Sequence, residues 1–137
     1  MSSKADERTP YEIIEQEKEA YLEELPEPDP DWPPDVQVVY EDIHSHLFEM
    51  DLQVQGVFQR CGYHNNNIST RFGYFVGRTP KEYILYHRVS VAQSLLRDKD
   101  LSVSELALTI GFGSPSAFTR AFKERVGQVP SRYSVKK

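Results

Sequence analysis

Four side chains late in this 137-residue sequence have the types and spacing for recognising a polyanion. Ser116, Thr119, Arg120 and Lys123 recur at i, i+3, i+4 and i+7, so a helix would present two hydroxyls and two cations along one line, with no apolar residue among them. Phe118, Phe122 and Val126 recur at i, i+4 and i+8 on the other side, which is the pattern of a core stripe. Chemistry of other kinds is poorly served. There is no nucleophile–base spacing, no phosphate-cradling glycine loop and no metal quartet, so neither an enzyme nor a cofactor is expected. His44 and His46 lack further ligands at a useful spacing and are read as solvated helix histidines. Cys61 is the single cysteine, which excludes an intramolecular disulfide and suits a reducing, cytoplasmic setting; it is read as a buried structural thiol.

The stripe needs a helix held at a defined angle, and the preceding residues supply one. In DLSVSELALTIGFGSPSAFTRAFKERVGQVP, Ser102 caps a first helix and Glu105 completes a capping box. Leu106, Ala107 and Ile110 form its apolar face, Gly111 suits a left-handed helix end, and Phe112 follows as an apolar plug. Ser114-Pro115 restarts a helix that Gly127 ends. Helix, glycine turn and a second helix with a polar, cationic outer face form a helix-turn-helix pattern, whose second helix enters the DNA major groove.

The same unit occurs earlier. Asp51-Leu52, Val57, Cys61 and Gly62-Tyr63 match Asp100-Leu101, Leu106, Ile110 and Gly111-Phe112 at an offset of 49. Past the turn the offset is 50, pairing Ile68, Phe72, Gly77, Pro80 and Tyr83 with Phe118, Phe122, Gly127, Pro130 and Tyr133. Core positions in step on both sides of a one-residue difference argue for two copies, at residues 51–77 and 102–127. Residues 80–97 between them read as one helix with Tyr83, Ile84, His87, Val91 and Leu95 on its apolar face. Such a helix is about 27 Å long, a strut sized to hold two recognition helices one DNA turn apart. Val39, Ile43 and Leu47 predict a further helix ahead of the first unit.

The front of the chain differs in character. Residues 1–35 carry 12 acidic and 3 basic residues, net −9, whereas residues 78–137 carry 5 acidic and 11 basic residues, net +6. The overall −5 therefore hides a basic second half behind an acidic N-terminal extension. Within that extension Thr9-Pro10-Tyr11-Glu12 starts a helix over residues 10–25. Tyr11, Ile14, Tyr21, Leu22 and Leu25 fall on one face, which Lys18 interrupts. Residues 26–35 are proline-rich and read as an extended linker, so a second domain spans residues 36–137. No apolar run is long enough for a membrane span.

Two such units joined by a long helix resemble the DNA-binding domain of the arabinose-regulator (AraC/XylS) family of bacterial transcription regulators. The similarity runs over residues 38–133 and is most specific in Asp100-Leu-Ser-Val-Ser-Glu-Leu-Ala, Gly111-Phe112, Phe118-Thr-Arg-Ala-Phe-Lys, Pro130-Ser-Arg-Tyr133 and Arg88-Val-Ser-Val-Ala92-Gln-Ser-Leu95-Leu96. It implies an all-α fold of about seven helices that binds an asymmetric double-stranded DNA site as a monomer. By position, the resemblance makes Pro115, Ser116, Thr119 and Arg120 base-facing in the second unit and Asn66, Ser69 and Thr70 in the first. Arg120 is then the candidate for a bidentate contact to guanine. Lys123, Arg125 and Arg71 would meet phosphates.

The first unit departs from the family, with Thr70, Gly73 and Tyr74 where arginine and lysines are usual and a net charge of −2 over residues 36–77. The second unit is therefore expected to dominate affinity. Thirty-five residues are too few for the ligand-binding domain most of the family carries in front. Either this is a stand-alone regulator controlled by abundance, with no evident small-molecule effector, or the sequence is a piece of a longer protein. The competing function is an interaction protein that uses the same scaffold to bind a partner such as RNA polymerase. The acidic extension has three readings: a solubilising tail, a cover over the basic half that competes with DNA, or a docking helix for a partner.

Overall fold

The computed structural model describes residues 7–63, 67–98 and 101–134, and among these residues it is all-α, with eight helices and no strand. In order they are α1 (Pro10–Glu24), α2 (Pro34–His46), α3 (Val54–Cys61), α4 (Asn67–Val76), α5 (Pro80–Asp98), α6 (Val103–Thr109), α7 (Pro115–Val126) and α8 (Pro130–Tyr133). Helices α2 to α8 make up the expected seven, and α1 belongs to the extension.

Local chemistry sets most of the boundaries. Capping boxes close the starts of α1 and α6: Thr9 Oγ1 accepts from the Glu12 amide at 3.1 Å, and Ser102 Oγ accepts from the Glu105 amide at 3.1 Å. Ser114 caps α7 by accepting from the Ala117 amide. The duplication extends to the hydrogen bonds. In the first unit the Tyr63 amide donates to Phe58 O and the Gly62 amide to Gln59 O. In the second, Phe112 donates to Ala107 O and Gly111 to Leu108 O. This is the same paired helix-end motif, 49 residues later, with a glycine at positive φ in each copy.

Helices α2, α3 and α4 form one unit, and α6, α7 and α8 the other. Their cores are Val39, Ile43, Val57, Ile68 and Phe72 in the first and Leu106, Ile110, Phe118 and Phe122 in the second, all 0–2% exposed. Helix α5 packs on α4, α7 and α8. It was expected to carry one apolar face, yet Arg88, Val89, Ala92 and Leu96 are buried along with Tyr83, Ile84, His87, Val91 and Leu95. The reason is that α1 covers a further side of it, lying against α5 and α6. So α5 joins the two units as expected and is also the central helix of the core.

Three further expectations need correcting. On α1 the expected Ile14, Tyr21, Leu22 and Leu25 pack on the core and Ile13 joins them, but Tyr11 does not: it is 65% exposed. Residues 26–33 are not a free spacer along their whole length: Tyr40 Oη donates to Pro26 O at 2.7 Å, Gln37 donates to Trp32 O at 2.8 Å, and the Trp32 ring meets Tyr40 edge-on. His44 is not solvated. It sits between α2 and α5, bonded to Tyr83 Oη and stacked on that ring, and burial pushes its pKa down to about 4. His46 is only half-exposed, bonded to Glu49 at 2.9 Å. Cys61 is half-buried, and burial raises its thiol pKa.

Candidate nucleic-acid interface

Helix α7 is fixed from below by Phe118, Ala121 and Phe122, with Phe112 and Phe118 rings 5.3 Å apart across the turn and Phe122 against Tyr133 of α8. Its opposite face is the polar stripe. Pro115, Ser116, Arg120 and Lys123 are exposed and Thr119 is half-buried. Among the described residues no side-chain partner is recorded for Arg120 or Lys123. Two cations on a rigid helix, with a capped N-terminus beside them, can meet phosphates and base edges without first breaking an internal contact.

Arg125 stands differently. Its side chain is 18% exposed, donates to Glu82 on α5 at 2.7 Å and lies 3.7 Å from Glu124. Arg71 on α4 makes a two-pronged pair with Asp35 on α2, both bonds at 3.0 Å, and Arg71 holds the Asp35 carboxyl below its ordinary pKa. Arg60 is likewise forked onto Asp42. Thus the two arginines of the first unit are paired with its own acids and Arg125 of α7 with Glu82, while Arg120 and Lys123 of α7 are not so engaged among the described residues.

On α4, Thr70 is exposed and Ser69 half-buried; Asn66 lies outside the described residues. The stripe is continued by Tyr74, 81% exposed, with its ring edge-on to Phe75. A Cβ at Gly73 would make ordinary contact with Thr79 at 3.8 Å, so packing inside the protein does not require the glycine there.

One contact had no signature in the sequence, although both its residues, Arg88 and Gly111, belong to segments that carry the resemblance. Arg88 is 5% exposed, and among the described residues no carboxylate pairs with it. Its Nε donates to Leu47 O, Nη2 to Glu49 O and Nη1 to Gly111 O, at 2.8, 2.8 and 2.9 Å. Burial brings its pKa down to about 10, so it stays charged at neutral pH. Gly111 is the one trace of this contact: its φ is +107°, and a Cβ there would come within 2.7 Å of the guanidinium carbon. Among the described residues there is no cluster of His, Cys, Asp or Glu that could hold a metal, and no helix long and apolar enough to cross a membrane.

A helix-turn-helix domain family matches residues 58–135, more than half of the chain. The transcriptional regulator AlkR of Acinetobacter baylyi is 31% identical over 91 residues, which are 66% of this chain and 29% of AlkR. The probable transcription factor PqrA of Proteus vulgaris is 30% identical over 82 residues, 60% of this chain and 67% of PqrA. The chain thus spans under a third of one relative and about two thirds of the other. Among solved structures, the C-terminal domain of the response regulator AraT from Geobacillus stearothermophilus superposes with a TM-score of 0.69 at 23% identity, covering 75% of this chain and 85% of that one. The DNA-binding domain of AdpA, solved in complex with a target DNA, superposes at 0.63 with 28% identity over 70% of this chain and 88% of that one. With two matched units, a buried joining helix and these relatives, the chain belongs to the AraC-type helix-turn-helix family of transcriptional regulators.

Proposed function

We propose that this chain binds double-stranded DNA sequence-specifically to regulate transcription. Helix α7 occupies one major groove and α4 the next, and the second unit supplies most of the affinity. The observation that carries this reading is the contrast between the two helices: α7 presents Ser116, Arg120 and Lys123 without a side-chain partner among the described residues, whereas the cation of α4 is held by Asp35. The complex of AdpA with its target DNA supports DNA as the ligand. Two reading helices in one chain allow a monomer to recognise an asymmetric site of two short motifs.

The extension does not favour a partner-binding scaffold. The apolar residues Ile13 and Ile14 of α1 are buried against the chain's own helices, and α1 packs on α5 and α6, leaving the outward stripe of α7 exposed. Selection from a random DNA pool tests the function directly. Two motifs about one helical turn apart are expected, with affinity falling steeply as salt rises. Failure of any sequence to enrich at low salt would remove DNA reading as the function.

A further inference from the structure

Reading two motifs at once requires that α4 and α7 keep a fixed relation, and the joint between their units is held by two cations. One is Arg88, whose three donors tie Leu47 O and Glu49 O at the end of α2 to Gly111 O past the end of α6. The other is Lys18 on α1, which approaches the same joint: its Nζ donates to Thr109 O at 3.0 Å and lies 5.7 Å from the centre of the Phe48 ring. Residues 47–49 of the first unit and 109–111 of the second are therefore clasped from both α5 and α1. The acceptors lie at or just past the ends of α2 and α6, where carbonyls carry partial negative charge, which suits a cation and gives the buried Arg88 guanidinium its partners. The clasp is specific to one copy of the repeated turn. Gly111 lies against Arg88, while a Cβ at the matching Gly62 would meet nothing within 4 Å among the described residues. It also explains the cation that interrupts the apolar face of α1: Lys18 lies on the face of Ile14, Tyr21 and Leu25 because it points into the joint, with its side chain 14% exposed.

We propose that Lys18 and Arg88 are positioning residues that set the relation between α4 and α7, and so the motif spacing that the protein accepts on DNA. The inference rests on the DNA reading above. It assigns a part in that reading to α1, which lies outside the matched residues 58–135. One added base pair moves the second motif by about 3.4 Å and turns it by about 34°, a change that a clasped joint resists and a loose one follows.

The test is a library in which the two selected motifs are separated by spacers of every length from a few base pairs to more than a turn. It is read for the parent, Lys18→Met and Arg88→Lys, each checked for helical content by circular dichroism. The parent should prefer one spacer over its neighbours by about tenfold or more. Both variants should keep the same motifs but spread over several spacers, Arg88→Lys more widely. A second readout needs no DNA: nitroxides on Gln59→Cys and Ser131→Cys, in a Cys61→Ser background, should give a narrow distance distribution that broadens in both variants. A parent that accepts neighbouring spacers equally, or variants that retain its single spacer and narrow distribution, would overturn the proposal. So would collapse of the Arg88→Lys fold together with an unchanged Lys18→Met, since Arg88 would then serve the fold and not the angle. If no motif is selected by the parent, the DNA reading itself fails, a result distinguishable from motifs without a preferred spacing.

Discussion

Arg120, Lys123, Arg71 and Arg125 are all exposed or half-exposed cations on or near a recognition helix, yet the structure separates them by what each already holds. Arg120 has no recorded partner among the described residues, so a guanine edge gains its full fork of donors. Replacing it with alanine should cost about 1–3 kcal/mol of binding and relax one base position. Thr70→Ala should cost less, because one hydroxyl contact is worth about 1 kcal/mol. A larger loss at Thr70, measured by anisotropy on the selected site, would reverse the ranking of the two units. Lys123 and Arg125 make a sharper pair. Lys123→Ala should lower the slope of log affinity against log salt by about one, as expected for one phosphate contact. Arg125 is engaged by Glu82, so Arg125→Ala should leave that slope nearly unchanged. Equal loss of slope in both variants would mean that DNA draws Arg125 away from Glu82.

At the scale of the element, legibility followed the range of the interaction. Thr9 with Glu12, Ser102 with Glu105, and the glycines at 62, 77, 111 and 127 act within a turn of helix, and their effects could be read directly from neighbouring letters. The pair of Arg71 with Asp35, 36 residues apart, and the Arg88 clasp depend on how helices cross, which no local pattern encodes. The further buried residues of α5 escaped notice for the same reason: burial on several sides erases the single stripe by which a helix is normally oriented. Gly73 tests whether the weak first unit is weak by design. A helix-interior glycine costs about 1 kcal/mol relative to alanine, and there is room for the methyl, so Gly73→Ala should raise thermal stability. If DNA affinity falls at the same time, the glycine serves close approach of backbone to DNA. If affinity holds, it is a tolerated defect.

The histidines of the α1–α2–α5 junction add a dependence on pH. His87 accepts or donates at Nδ1 to Tyr21 Oη at 2.6 Å, and His44 bonds Tyr83; around them stand Tyr40, Tyr86 and Arg78. Burial first, then the nearby positive charge for His87, pushes both pKa values down to about 4 from an ordinary 6.5. Between those values the unfolded chain binds protons that the folded chain refuses, so stability is intact above pH 6.5 and declines as pH falls towards 4. The decline should approach about 1.4 kcal/mol per pH unit for each histidine. His87→Phe, which loses the Tyr21 bond but cannot take up a proton, should flatten that slope in urea titrations at pH 5. An unchanged slope would place the acid sensitivity elsewhere.

At the scale of the molecule, the duplicated units raise the question of whether they unfold separately. Each has its own phenylalanine- and isoleucine-based core, which would favour two transitions. Against this stands α5, which gives Tyr83 to the aromatic cluster of the first unit, through Phe72 and Tyr40, and the Gln93 side chain to Tyr133 of the second. Removing either unit would expose much of the α5 surface and strand the Arg88 guanidinium with acceptors on one side only, a cost of several kcal/mol for a buried cation. One cooperative transition is therefore expected. Trp32, the only tryptophan, reports on the first unit through its contact with Tyr40, and amide exchange at Ile110, Phe118 and Phe122 reports on the second. Coincident urea midpoints for the two probes are the expected result. A second unit that opens well before Trp32 responds would show that α5 joins the units without coupling them, and that the reading helices are set against each other only once DNA is bound.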